Sequence, residues 1–220
     1  MEVKKPLNET QKTLIQCDFD GTVTKQDVSF ILLDAFAGDW RKMHQDYEDN
    51  KITVGRFNQA VFARVRSDRE TLLKLALSQV EIRPGFAEMV DYCRRRDFRF
   101  VIVSNGLDFY IDGILREIGL EDITVYAAET GFDPTGLKVR YVGPDGNTLD
   151  DDFKVAYADL FLSEGYRLAY IGNGISDFPP ASRSQRVFAV DSLLERCRQE
   201  KLDSTPFSDF HQVINALESW

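Results

Sequence analysis

Asp18 and Asp20 close an apolar run, Thr13-Leu-Ile-Gln-Cys-Asp-Phe-Asp20, and Gly21-Thr22 turns the chain directly after them. Residues two apart on a strand share a face, so the two carboxyls point the same way. One carboxylate can attack phosphorus, and a neighbouring carboxyl can protonate the leaving oxygen and then deprotonate water. Three further segments carry groups that suit the same chemistry. Ser104, Asn105 and Gly106 follow the apolar run that starts at Phe98. Lys154 opens a helical segment. Asn173 and Asp177 follow the run Tyr166-Arg-Leu-Ala-Tyr-Ile171. A hydroxyl and an ammonium can hold the equatorial oxygens of a transferring phosphoryl group, where charge accumulates. Hard oxygen ligands beside them suit Mg²⁺ or Mn²⁺, which would offset the repulsion between a carboxylate and a phosphate ester.

These groups converge only if strands deliver them to one edge. Apolar runs at Thr13–Asp20, Phe98–Asn105, Ile123–Ala128, Tyr166–Ile171 and Arg186–Val190 predict five strands. Segments with helical spacing, Leu107–Ile118 and Phe153–Leu162, lie between them, with Gly119 and Gly165 where C-terminal caps belong. Strands alternating with helices predict a doubly wound, Rossmann-like α/β core with a parallel sheet. In such sheets the ligand crevice lies beyond the carboxyl ends of the strands, where each of the four segments ends. Leu137–Val142, with Asp145-Gly146 after it, is expected to form a small hairpin inserted before the fourth strand. From Gln26 to Gln79 no strand pattern occurs. Amphipathic helices are expected at Val28–Phe36, Trp40–Asn50, Thr53–Val65 and Arg69–Leu77, and a helix at Phe86–Arg95 leads into the second strand. Residues 26–80 therefore form a helical cap inserted after the first strand, and 1–25 with 81–220 form the α/β core.

The chain has 220 residues, of which 27 are basic and 36 acidic, for a net charge of −9. That balance argues against nucleic acid and anionic membranes as partners. It is compatible with a small phosphorylated metabolite at one locally cationic or metal-bearing site. No apolar stretch is long enough to span a bilayer, and the first residues lack the apolar core of a secretory signal. Cys17, Cys93 and Cys197 have no paired spacing, so reduced, packed thiols and a cytoplasmic location are expected. His44 and His211 are too few and too far apart in the chain for a metal pair. Nothing in the sequence decides the oligomeric state.

The segments Asp18-Phe-Asp20-Gly-Thr22, Val103-Ser104-Asn105-Gly106, Lys154 and Gly172-Asn-Gly-Ile-Ser-Asp177 resemble, in order, the four motifs of the haloacid dehalogenase superfamily of phosphatases. The resemblance runs from about Lys12 to Leu217, and the inserted helices resemble the first-position cap of the phosphoserine phosphatase branch. Within that branch Ser104–Tyr110, Phe188–Leu194 and Pro206–Val213 look most like the methionine-salvage group acting on hydroxy-keto-methylthiopentenyl phosphate. The resemblance implies Asp18 as nucleophile and Asp20 as general acid/base. It implies Ser104, with Asn105 and Gly106, as phosphoryl binders and Lys154 as the stabilising cation. It implies a Mg²⁺ ion on Asp18, the Asp20 carbonyl and the 172–177 loop, through Asn173 and Asp177. Asp27 and Arg64 resemble the residues that hold the amine and carboxylate of phosphoserine.

The family usually has Asp where Asn173 stands, and an amide adds no charge to a metal site. Three alternatives to a metabolite phosphatase stay open, of which Asn173 motivates the last. They are a phosphoserine phosphatase, a phosphotransferase that passes the group to another hydroxyl, and a phosphate-binding protein on a catalytically degenerate scaffold.

Overall fold

The computed structural model describes residues 11–220. Its strands are β1 (Thr13–Cys17), β2 (Arg99–Leu107), β3 (Thr124–Asp133), β4 (Gly136–Val142), β5 (Thr148–Leu149), β6 (Arg167–Gly172), β7 (Arg186–Ala189) and β8 (Thr205–Pro206). They form one sheet in the order β5-β4-β3-β2-β1-β6-β7-β8. All neighbours from β3 to β8 run parallel, and β4 and β5 add antiparallel at the edge. β1 is central and wholly buried, with Leu14, Ile15 and Cys17 inaccessible to solvent. Continuous burial on both faces explains why its sequence does not alternate apolar and polar, and the buried Gln16 is satisfied by a hydrogen bond to the Lys154 carbonyl. The chain leaves β1 for β2 and β3 on one side, then returns to β6 on the other. The reversal of strand order therefore falls at the carboxyl end of β1, where a doubly wound sheet opens a crevice.

Before β2 lie α1 (Val28–Phe36), α2 (Arg41–Glu48), α3 (Val54–Phe62), α4 (Arg69–Gln79) and α5 (Phe86–Arg95). After it come α6 (Asp108–Glu117), α7 (Phe153–Ser163), α8 (Phe178–Ala181), α9 (Asp191–Glu200) and α10 (Phe210–Leu217). Residues 28–79 are helical apart from short connections. Asp27, Thr53 and Asp68 cap α1, α3 and α4 by accepting the N–H groups of Phe30, Arg56 and Thr71. The segments entering and leaving these helices are tied together. Thr24 bridges Ile82, Lys25 N donates to the Glu81 carbonyl at 2.8 Å, and Arg83 N donates to the Val23 carbonyl at 2.8 Å. Arg83 then clamps the turn after Asp20, donating to the carbonyls of Gly21 (2.6 Å), Thr22 (2.8 Å) and Ser208 (3.1 Å).

The edge of the sheet differs from the sequence expectation. β3 does not stop at Ala128 but runs to Asp133, and Leu137–Val142 pairs back onto it as β4, from Glu129–Arg140 to Asp133–Gly136. The expected hairpin is present as β4 and β5, which pair antiparallel across the turn at Asp145-Gly146 and extend the main sheet at its edge. The outer half of β3 alternates exposed and half-buried residues, which gives no apolar run to read. Gly136 is required there: it has φ 141°, and a Cβ would fall on the Ala63 carbonyl at the end of α3. Gly119 and Gly165 take the left-handed conformation expected after α6 and α7. Among the described residues no helix is long and apolar enough to cross a membrane, and the three cysteines are buried and unpaired.

Candidate active site

Asp18 and Asp20 leave the end of β1 at the strand-order reversal. Asp18 N still follows the sheet, donating to the Ile171 carbonyl at 2.9 Å. The Asp20 side chain turns to the start of α1, where its Oδ1 accepts Val28 N at 3.0 Å. Its Oδ2 accepts the Tyr110 hydroxyl from α6, and Tyr110 in turn shares a 2.8 Å hydrogen bond with Ser29 Oγ. The carboxyl is thereby held from both oxygens.

Lys154 comes from the first turn of α7, whose start is set by Asp152 in a left-handed conformation (φ 58°). Gln16 of β1 fixes that turn by donating Nε2 to the Lys154 carbonyl at 2.9 Å. Lys154 Nζ lies 2.8 Å from Asp18 Oδ1 and 2.6 Å from Asp177 Oδ1, and all three side chains are buried. The contact with Asp18 is a buried ion pair, and among the described residues Lys154 is the only side chain that reaches either Asp18 carboxylate oxygen.

Asp177, expected as a metal ligand, has both carboxylate oxygens on protein donors, Lys154 Nζ among them. Its Oδ1 also accepts the Tyr170 hydroxyl at 2.6 Å, and its Oδ2 accepts the backbone N–H groups of Asn173 (2.9 Å) and Gly174 (2.8 Å). Four protein donors fill the acceptor sites of one carboxylate. Asp177 therefore anchors Lys154 and folds the 172–177 loop around itself. Gly172 is glycine because a Cβ there would meet Asp177 Cγ at 2.7 Å. Asn173 stays at the cavity, with Oδ1 accepting only the Thr22 hydroxyl at 3.1 Å.

Ser104, Asn105 and Gly106 lie where the β2–β3 register breaks, between Val103 and Leu107, so they leave the ladder and face the crevice. Ser104 Oγ accepts Gly106 N at 3.0 Å. The Asn105 carbonyl accepts both Tyr141 hydroxyl and Asn58 Nδ2, tying this loop to β4 and α3. A Cβ on Gly106 would fall on Asp20 Oδ2 and on the Tyr110 hydroxyl. Gly106→Ala should therefore disrupt the Asp20–Tyr110 pair and lower kcat on the order of 10²-fold, the scale of a lost general acid. Steady-state kinetics checks this, and an unchanged kcat would mean that the pair does not position Asp20.

Burial pushes Asp18 up to about 7, with Asp177 adding to the shift and Lys154 opposing it. Burial also pushes Asp20 up to about 8; Asp27 adds to the shift and the Tyr110 hydrogen bond opposes it. Burial works to lower Lys154, but Asp177 and Asp18 outweigh it and hold the ammonium above the ordinary lysine range. An ammonium thus faces Asp18, while burial favours the protonated form of Asp20. That pairing suits a nucleophile and a proton donor.

A cavity of about 250 Å³ collects Asp18, Asp20, Asp27, Ser104, Asn105, Gly106, Lys154 and Asn173. Arg64 is not among its lining residues. It is exposed, donating to the Asp39 carbonyl at 3.1 Å and lying 3.3 Å from Met43 Sδ, so its expected part in binding a substrate carboxylate has no support in this geometry. Tyr110, Ser29, Thr22, Tyr170 and Asn58 were not singled out by sequence. Tyr110 occupies a core-facing slot of α6 and reads as packing, although it lies six residues after Ser104 in the segment that carries the resemblance.

Among the described residues no three His, Cys, Asp or Glu side chains gather as a metal site. Oxygen donors of other types are present. Among the described residues the Asp20 carbonyl accepts no backbone hydrogen bond, no donor reaches Asp18 Oδ2, and Asn173 Oδ1 carries a single hydroxyl donor. One carboxylate plus neutral oxygens fits a hard divalent cation that keeps waters and a substrate oxygen in its shell.

Residues 15–182 match the haloacid dehalogenase-like hydrolase family. The chain is 28% identical over 218 residues to a 2-hydroxy-3-keto-5-methylthiopentenyl-1-phosphate phosphatase of Brevibacillus brevis, covering 95% of this chain and 96% of that protein. It is 29% identical over 213 residues to a protein of the same name from Exiguobacterium sibiricum, covering 93% and 96%. A solved phosphoserine phosphatase carrying a phospho-aspartyl intermediate analogue superposes with a TM-score of 0.70 at 18% identity, covering 94% of this chain and 99% of that one. The carboxylate pair at the strand-order reversal, the buried lysine beside it and the family match over most of the chain agree: this protein belongs to the haloacid dehalogenase-like hydrolases.

Proposed function

We propose that this hydrolase is a phosphomonoesterase that moves the phosphoryl group of a small metabolite onto Asp18 and then to water. The observation that carries the reading is the Asp18–Lys154 pair at 2.8 Å, two residues before an Asp20 gripped by Val28 N and Tyr110. In the first step an Asp18 oxygen bonds to phosphorus while the phosphorus–oxygen bond to the leaving group breaks, and Asp20 gives its proton to that oxygen. In the second step Asp20 takes a proton from water as the water attacks phosphorus, which frees Asp18. Lys154 holds negative charge beside Asp18 in both steps, and Ser104 donates its hydroxyl to a phosphoryl oxygen. A Mg²⁺ or Mn²⁺ ion held by Asp18, the Asp20 carbonyl and Asn173 would neutralise charge on the phosphate as carboxylate and ester approach. Helices α1–α4 act as a cap, residues 26–80, over a core of 1–25 and 81–220, and the small cavity beneath suits a metabolite rather than a polymer.

The names of the relatives point to 2-hydroxy-3-keto-5-methylthiopentenyl-1-phosphate as substrate. Phosphoserine is disfavoured, because Arg64 lies away from the cavity. The test is inorganic phosphate release from a panel of small esters, with Mg²⁺ or with chelator. Metal-dependent release, greatest for the methylthiopentenyl ester, is expected. A folded protein that binds the ester and releases nothing would favour the binding-protein reading instead.

Two variants refine the roles. Asp20→Asn should slow an alkyl phosphate by on the order of 10²–10⁴-fold, the span of general acid catalysis, and an aryl phosphate with an acidic leaving group much less in the first step. Burst kinetics on both esters checks this; equal losses of the burst rate would remove Asp20 as the acid. Asn173→Asp should lower the Mg²⁺ concentration for half-maximal binding about tenfold, because ligand charge sets affinity for hard cations. Calorimetric titration with Mg²⁺ reads it directly, and unchanged affinity would take Asn173 out of the metal's shell.

A further inference from the structure

The cap side of the cavity is an aromatic wall. Tyr47 of α2 stacks on Phe57 of α3, with centroids 5.9 Å apart at 16°. His44 meets Phe57 edge-on at 5.4 Å and Phe30 edge-on at 4.9 Å. Trp40 backs the cluster, buried, 4.7 Å from Phe30 and anchored by Nε1 to Asp34 at 2.8 Å. Phe30, His44, Tyr47 and Phe57 line the same cavity as Asp18. On the core side of that cavity stands Ile175, 43% exposed, one of three large apolar side chains left in water among the described residues. An isolated exposed apolar residue needs no explanation, but one at the mouth of an aromatic-lined cavity extends a ligand-sized apolar surface.

The charges around this wall are one-sided. Among the described residues Lys154 is the only Lys or Arg lining the cavity, and it is already held between Asp18 and Asp177. Asp27 and Glu48 also line it. His44 is drawn below its ordinary range by burial, against the pull of Glu48, so it presents a neutral ring near neutral pH. A carboxylate brought against Phe30, His44 and Phe57 would meet two acids, and the nearest cations beyond Tyr47 and Ile175, Lys51 and Arg56, line an adjoining cavity, with Lys51 already paired to Asp46 and Asp49. A cation would need an open aromatic face, whereas stacking turns the facing sides of Tyr47 and Phe57 onto each other. A thioether is neutral, polarizable and favourable at ring edges.

We propose that Phe30, His44, Tyr47 and Phe57, with Ile175 opposite, form the specificity subsite for the substrate's tail, taking an uncharged apolar end of thioether size and turning away anionic ends. This deepens the phosphomonoesterase reading and rests on it for the position of the phosphate. The assignment makes these cap side chains, rather than Arg64, the part of the cap that chooses the ester.

The test uses the intact protein with Mg²⁺ and three alkylphosphonates of equal length, which cannot be hydrolysed. They end in methylthio, carboxylate or trimethylammonium, and binding is measured by calorimetry. The methylthio compound is expected to bind about 10–100-fold more tightly than the carboxylate, the range over which a pocket discriminates by apolar contact and unpaired charge. His44→Arg, at a partly exposed position in the wall, should shrink that ratio at least tenfold by bringing a cation to the subsite. Phe57→Leu should shrink it several-fold by removing ring contact. Equal binding of the three, tighter binding of the carboxylate or ammonium compound, no binding of any, or a ratio unmoved in both variants would overturn the subsite. Because phosphonate binding needs no turnover, the expected ranking in a protein that releases no phosphate from the matching ester would sink the hydrolysis reading and leave the subsite standing.

Discussion

Asp18→Asn should lower kcat on any phosphate ester by on the order of 10⁴-fold or more, as removal of a covalent nucleophile does. The amide is the same size and keeps a polar atom toward Lys154, so the fold should persist. The substitution also removes one of two carboxylates that burial forces close to a single ammonium, which relieves repulsion between Asp18 and Asp177. A melting temperature within a few degrees of the parent is therefore expected, since 1 kcal/mol moves a domain of this size by about 2–4 °C. Phosphate release and thermal unfolding on the same preparation check both halves. Appreciable turnover by the folded variant would contradict the covalent mechanism.

Asp177→Ala should have the largest effect on stability, about 3–5 kcal/mol, the cost of breaking a buried ion pair from one side. Lys154 would keep only Asp18, Tyr170 would lose its acceptor, and the N–H groups of Asn173 and Gly174 would lose theirs. Urea unfolding of the parent and variant measures the difference. An unfolding free energy within 1 kcal/mol of the parent would contradict the anchor role, as ordinary surface substitutions fall inside that margin. Asp177→Asn separates charge from hydrogen bonding: it keeps one acceptor oxygen for the loop but removes the charge that faces Lys154.

The groups at strand ends were readable in the sequence because a buried apolar run that stops in a carboxylate, hydroxyl or amide demands a reason. Asp18, Asp20, Ser104 and Asn173 all satisfied that rule, and Lys154 followed from its place before the fourth expected strand. What the sequence hid were contacts made by groups with no sequence signature. Asp177 looked like a metal ligand because its partners are two backbone N–H groups and a tyrosine that reads as core. Tyr110, ninety residues from Asp20 in the chain, occupies an ordinary apolar slot of α6. Arg64 fitted a local motif, yet its direction depends on how α3 ends and on the carbonyl of Asp39. Helices α1–α4 were read to within a few residues because their apolar periodicity is local. The β3–β4 pairing was not, since half-exposed strands carry no such pattern. α9, five of whose ten residues are charged, and α10 were also unread.

The central claim is that the phosphoryl group passes through Asp18. The most direct measurement is acid quench of the protein during turnover of its best ester with Mg²⁺, followed by peptide mass spectrometry. The account predicts the added mass of one phosphoryl group on the peptide containing Asp18, lost on base treatment and absent in Asp18→Asn. Turnover with no phosphorylated peptide at any quench time, or with the group on another residue, would contradict it.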